Sequence, residues 1–206
     1  MKKLIVIGVL IFCGYKLYQL TPGSGEDGPV DANGNPVLQV FVGPNCGQFC
    51  DDVEGLLTSR NVGYELIDVS TPEGEKYKIR QYPYTRLGKR SVTGNANMQI
   101  VSMLAETYGD AVLTTAERIA TRDHFDADGK PVVVLYGTQW CQYCARERAY
   151  FAENGVQYLD VDVETSQDGK FSYNALHGNG YPLVYVGYRR FDGYKEQEIL
   201  DAVASM

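Results

Sequence analysis

The chain has 206 residues, 44% of them hydrophobic and 22% charged, enough for one domain or two small ones and inconsistent with wholesale disorder. A formal net charge of −7 argues against a nucleic-acid-binding surface, and five cysteines are too few for a disulfide scaffold at this length. Four of the five form two close pairs, Cys46 with Cys50 and Cys141 with Cys144, a pattern of local redox or metal chemistry.

In chain order, Met1-Lys2-Lys3 is followed by residues 4–15, uncharged and mostly apolar, then Lys16. This is the charged start and apolar middle of an export signal. No A-x-A-like cleavage site follows, and bulky Phe12 precedes Cys13, where lipoproteins carry a small residue. Residues 1–20 are therefore read as an N-terminal membrane anchor or signal segment, somewhat short of the ~20 apolar residues of a full span. With Lys2 and Lys3 held inside, the rest faces the periplasm or another extracytoplasmic space. Residues 21–35, rich in Gly and Pro, read as a linker.

An internal repeat follows. Asp31-Ala32-Asn33-Gly34-Asn35-Pro36-Val37 matches Asp126-Ala127-Asp128-Gly129-Lys130-Pro131-Val132. The apolar run 37–42 ends near Cys46, as 132–136 ends near Cys141, and residues 62–69 parallel 156–163. A fourth match pairs residues 94–101 with 178–185, which sets Met98 against Pro182. The expectation is two tandem domains, 36–123 and 124–206. Each unit reads as strand, cysteine pair, helix, strand, helix, strand, short strand and last helix. In the second unit these fall near 132–137, 141–154, 157–163, 167–176, 182–186, 188–192 and 195–204. Ala145, Ala149, Tyr150 and Phe151 supply an inward face to its first helix. Residues 76–90 of the first unit, carrying six Lys or Arg and three Tyr, read as additional, solvated chain between matched blocks. Asp68 and Asp162 cap or solvate the ends of corresponding strands.

A β-branched run, a short loop and Cys141-Gln142-Tyr143-Cys144 opening a helix together read as a thiol–disulfide site. Unpaired N–H groups at a helix N-terminus favour a thiolate. Cys141 is the attacking sulfur and Cys144, one turn inward, the resolving one. An inert disulfide or half of a zinc site remains the alternative, although no partner C-x-x-C or suitably spaced histidine completes a metal set. His124 and His177 stand alone and read as surface or packing residues.

Three features in order, Trp140-Cys141-Gln142-Tyr143-Cys144, the strand 156–163, and Gly180-Tyr181-Pro182-Leu183-Val184 followed by Gly193-Tyr194, make residues 131–205 resemble a glutaredoxin of the thioredoxin-like superfamily. The resemblance implies an α/β fold of two tandem thioredoxin-like (glutaredoxin-like) domains, each a mixed sheet flanked by helices. It implies a cis-proline at Pro182 facing the cysteines and a thiol–disulfide oxidoreductase activity without a cofactor. Trp140, Tyr143, Tyr181 and Pro182 become candidate substrate contacts. Glutathione-using relatives carry proline after the first cysteine, where Gln142 stands here, and their Gly-Gly-x-Asp-Asp-like turn is replaced by Asp192-Gly193-Tyr194-Lys195. The turn is closer to that of the hydrogen donors of ribonucleotide reductase. Protein thiols and disulfides are thus the expected partners ahead of glutathione, and the membrane is engaged through residues 1–20.

In the first unit Cys46-Gly47-Gln48-Phe49-Cys50 is one residue longer than the standard pair. With Met98 in place of proline, this unit is expected to be a diverged scaffold or docking domain. A second redox pair at Cys46 and Cys50, or metal binding by these cysteines with Met98 nearby, are its rivals. A non-catalytic binding module with two structural disulfides is the rival for the whole chain.

Overall fold

The computed structural model describes residues 28–206; the expected anchor and the first part of the expected linker, 21–27, lie outside the described residues. Among the described residues no helix is long and apolar enough to cross a membrane.

The described residues form two four-stranded mixed sheets, with helices on their faces. The first contains β1 (Gln39–Val42), β2 (Glu65–Asp68), β3 (Tyr84–Leu87) and β4 (Arg90–Thr93), ordered β2-β1-β3-β4. The second contains β5 (Val133–Gly137), β6 (Tyr158–Asp162), β7 (Leu183–Val186) and β8 (Arg189–Asp192), ordered β6-β5-β7-β8. In each, the first two strands are parallel and the last two pairings antiparallel. A parallel pair needs a crossover, which α1 (Gln48–Ser59) and α5 (Gln142–Glu153) provide. Short α2 (Pro72–Glu75) and α6 (Gln167–Ala175) precede the third strands, and α3 (Asn97–Tyr108) and α7 (Glu196–Ala204) follow the fourth. This is the thioredoxin-like arrangement, twice.

Local chemistry repeats too. Asp31 Oδ1 accepts from the Asn33 and Asn35 amides, as Asp126 Oδ1 does from Asp128 and Lys130. Each turn closes a bridge, Val30 with Pro36 and Phe125 with Pro131. Gly88 and Gly187 turn the third strand into the fourth, both with φ near +58°, a region open to glycine. Asp68 and Asp162 cap the loops after their strands, as expected, by accepting from Ser70 and from Glu164.

The fourth sequence match is corrected by this topology. Gly94 corresponds to Gly193, not to Gly178: the Gly94 amide donates to the Pro83 carbonyl at 2.7 Å, and the Gly193 amide to the Pro182 carbonyl at 2.9 Å. Both prolines follow a tyrosine through a cis bond, Tyr82–Pro83 and Tyr181–Pro182. Pro83 therefore holds the place assigned to Met98, which lies instead in the first turn of α3. The stretch 76–90 is likewise not additional chain, because it contains β3. Its strand pattern was hidden by Arg86, whose guanidinium lies 5.6 Å from the Phe41 ring centre and bonds Gln39, while Thr85 and Leu87 point inward.

The two domains share a seam. The Ser102 hydroxyl of α3 donates to the Tyr188 carbonyl at 2.8 Å and accepts from the Arg190 amide at 3.0 Å. Helix α3 thus covers the edge of β8, which would otherwise leave backbone groups unpaired. Glu106 pairs with Arg90 of its own domain and with Arg189 across the seam. Helix α4 (Thr115–Ala120) packs Ala120 into the second core while its Glu117 holds Arg60, the residue that caps the end of α1. His124, fully buried, contacts the Gly187 carbonyl through Nδ1 and the Tyr136 hydroxyl through Nε2. Burial lowers its pKa to about 4, so it serves as a neutral packing residue.

Candidate active site

Strand β5 delivers the site. Val133-Val134-Leu135-Tyr136-Gly137 is buried throughout, as β-branched and aromatic residues suit a strand covered on both faces. Gly137 ends it for a steric reason: a Cβ there would fall 2.9 Å from Cys144 Sγ. The missing side chain is what lets the helix cysteine pack against the strand end.

Cys141 is the N-cap of α5, and its Sγ accepts from the Cys144 amide at 3.0 Å. Cys141 and Cys144 form a disulfide with Cα atoms 5.2 Å apart, within the ordinary range. Cys144 is completely buried and Cys141 nearly so, at 6% exposed. A thiolate released at Cys141 would inherit the amide hydrogen bond and the positive end of α5, both of which favour the ionised form.

The register Tyr136↔Leu183 places Pro182, just before β7, at the strand end where the cysteine loop begins. Around that mouth the expected contacts divide into two groups. The Trp140 ring, 66% exposed, meets Tyr181 edge-on at 5.9 Å and donates Nε1 to Glu164 at 3.0 Å. Tyr181 stacks on Tyr173 at 5.1 Å. Tyr143 projects elsewhere, toward Tyr194 at 6.3 Å and under the Arg146 guanidinium. Arg148 pairs with Asp160 at 2.8 Å.

The expected inward face of α5 is corrected. Ala145 and Ala149 are exposed and Tyr150 only half-buried; the buried positions are Cys144, Glu147 and Phe151. A charged residue conceals an i, i+3, i+7 stripe from hydropathy. Glu147 is fully buried, and neither carboxylate oxygen has a hydrogen-bond partner. Burial pushes its pKa up to about 7, moderated by the nearby Lys195 amide and reinforced by Glu196. Only its position one turn after Cys144 could have marked it in the sequence.

Glu147→Gln is expected to flatten the pH dependence of stability. The raised folded value means the native state retains a proton that the unfolded chain loses above its ordinary 4.5. Stability therefore falls as pH rises from about 4.5 toward 7 and levels off beyond, a total of roughly 3 kcal/mol. Urea midpoints at about pH 5 and about pH 8 measure the slope; equal slopes for wild type and variant would contradict it.

Among the described residues no cluster of His, Cys, Asp and Glu suits a metal ion. Met98 lines a small pocket with Ser102, Leu113 and Tyr188 at the domain seam. A cleft of about 360 Å³ lies at the same seam, between Arg90, Gln99, Arg189 and Lys195. No disulfide cysteine lines it.

Residues 133–190 match the family model described as Glutaredoxin. No curated protein sequence matches the chain. Among solved structures, glutaredoxin grx-1 of Archaeoglobus fulgidus is 22% identical over 34% of this chain and 84% of its own, with a TM-score of 0.31. The holo form of glutaredoxin C1 from Populus tremula x tremuloides is 24% identical over 45% of this chain and 85% of its own, TM-score 0.33. A buckwheat glutaredoxin–glutathione complex is 20% identical over 44% and 80%, TM-score 0.32.

Proposed function

We propose that this chain, whose residues 133–190 match the Glutaredoxin family model, is a thiol–disulfide oxidoreductase that exchanges disulfides with protein substrates through Cys141 and Cys144. The observation that carries the reading is Cys141 at the cap of α5, its sulfur bonded to the Cys144 amide, with the partner sulfur buried behind it. In the reduced protein the Cys141 thiolate attacks a substrate disulfide, and one substrate sulfur leaves as a thiolate. Cys144 then gives up its proton and attacks Cys141 Sγ, releasing the second substrate thiolate. The substrate disulfide is reduced to two thiols and the Cys141–Cys144 bond re-forms. Run backward, the same steps oxidise a substrate dithiol.

Cys144 cannot reach solvent to lose its proton. Helix geometry puts Glu147 one turn on, on the same face, with its side chain leaning back toward the helix start. Glu147 is the buried carboxylate of α5 and is the group to which that proton is assigned. Trp140, Tyr181 and Pro182 would seat an extended substrate strand beside Cys141, with Tyr143 touching it from the other side. Protein dithiols are favoured over glutathione by Gln142 after the first cysteine and by the Tyr194 hydroxyl bonding Glu196 at the entry to α7. The lysines and apolar run of residues 2–15 support attachment to a membrane, with the domains on its extracytoplasmic side.

Cys144→Ser tests the reading. This variant can complete the first attack but not the second, so it should accumulate a mixed disulfide between Cys141 and a protein substrate. Non-reducing electrophoresis and peptide mass mapping detect the adduct; its absence under conditions that oxidise the wild-type pair would refute the mechanism.

A further inference from the structure

The first domain contains a second arrangement of the same kind. Cys46 and Cys50 are bridged at the exit from β1, with Cα atoms 5.5 Å apart. Helix α1 opens Gln48-Phe49-Cys50 as α5 opens Gln142-Tyr143-Cys144, so Cys50 holds the place of Cys144. The extra residue is Gly47, which caps α1 with φ +46°, a conformation glycine accepts without strain. Cys46 therefore lies outside the helix, and the four-residue spacing is not an i, i+4 pair within a regular turn. Exposure matches as well: Cys46 is 7% and Cys50 5% exposed, and Phe49 at 60% stands out as Tyr143 does at 56%.

Opposite the pair stands a proline. The register Phe41↔Tyr84 sets Pro83 at the end of β1, as Tyr136↔Leu183 sets Pro182 at the end of β5. Tyr82 lies across the cysteine loop, so close to its first residue that a Cβ on Gly43 would meet the Tyr82 ring at 2.6 Å. Stapling is a weak reason for such a bridge, because the shortest loops gain least from closure.

We propose that Cys46–Cys50 is a second thiol–disulfide exchange centre, which takes extended, cysteine-bearing protein segments against Tyr82 and Pro83. A substrate thiolate attacks Cys46 Sγ; the Cys46–Cys50 bond breaks and Cys50 leaves as a thiolate that takes up a proton. The substrate's second thiolate then attacks its own sulfur in the mixed disulfide and releases Cys46. The substrate dithiol is oxidised to a disulfide as the protein disulfide is reduced to two thiols, and the reverse run reduces a substrate.

This centre differs from the one in the second domain. Asp51 lies in the first turn of α1, whereas α5 has no acid in its first turn. Fully buried Val53 stands three residues after Cys50, where Glu147 follows Cys144. An acid near the helix start disfavours a thiolate, so Cys46 is the slower nucleophile near neutral pH.

The test uses the full chain carrying Cys141→Ser and Cys144→Ser, so its outcome is independent of the second-domain site. The protein is offered a two-cysteine peptide, the reduced peptide to oxidised protein and the oxidised peptide to reduced protein. Native alkylation with peptide mass mapping then follows Cys46 and Cys50. Exchange in either direction, with matching conversion of the peptide, is the expected result, and adding Cys46→Ser should lower it at least about tenfold. The proposal is overturned if the pair exchanges in neither direction until the protein is unfolded by urea. The unsubstituted chain, mapped in the same way, reads the pair even where the double variant folds poorly. Labelling there confined to Cys141 and Cys144 overturns the proposal as well.

Discussion

Cys141→Ser is expected to lower the disulfide-exchange rate of the full chain at least about tenfold, and Cys46→Ser less than about twofold. A serine hydroxyl does not ionise at the helix cap and cannot form the mixed disulfide, so the second domain falls silent. What survives is exchange through Cys46, slowed by Asp51 in the first turn of its helix. Combining both substitutions should remove the remainder. A turbidimetric insulin-reduction assay with a fixed dithiol donor gives the rates. Equal losses from the two single variants would show that the helix-end electrostatics do not set the ranking of the centres. The overall fold should survive, because each disulfide closes only a few residues and neither is the main tie between distant parts of the chain.

Glu117→Ala is expected to cost about 3–5 kcal/mol of stability, the range for removing one partner of a buried ion pair. Glu117 is 1% exposed, and its two oxygens meet the two terminal nitrogens of Arg60 at 2.7 Å each. The same carboxylate accepts from the Thr114 amide, and Thr114 in return caps α4. The substitution therefore strands a buried guanidinium, breaks a capping box and loosens the helix that ties α1 to the second core. Burial alone would raise the Glu117 pKa, but the Arg60 and Thr114 hydrogen bonds outweigh it and hold the carboxyl below its usual range. With a depressed folded value, the stabilisation is present above the ordinary carboxylate pKa of 4.5 and is lost as pH falls through the folded value. This is opposite in sign to Glu147, which penalises the folded state on the alkaline side. Urea denaturation near neutrality reads the loss, and a change below about 1 kcal/mol would remove Glu117 from this role.

The second domain was legible almost element by element. Its four strands and three helices begin and end within about a residue of the positions expected from sequence. Each is marked locally: a β-branched run for β5, Ser166 capping α6, and Gly187 and Gly193 at turns with positive φ. The first domain was harder to read because its marks are ambiguous over short windows. Tyr84-Thr85-Arg86-Leu87 looks like charged surface until Arg86 is seen lying over Phe41 and Tyr77. Losing that strand shifted the repeat alignment, hid Pro83 and made Met98 the apparent substitute.

The sequence by itself determined the two cysteine pairs, the strand-to-helix loops that hold them and the order of elements in the second half. These are set by periodicity, turn residues and capping within a few residues of one another. Tertiary structure decided which proline faces which pair, that α3 closes the edge of β8, and that Glu147, three residues after Cys144, is buried without a hydrogen-bond partner. Such outcomes depend on which faces meet across dozens of intervening residues, and a polar side chain carries no local sign of whether packing will remove it from water.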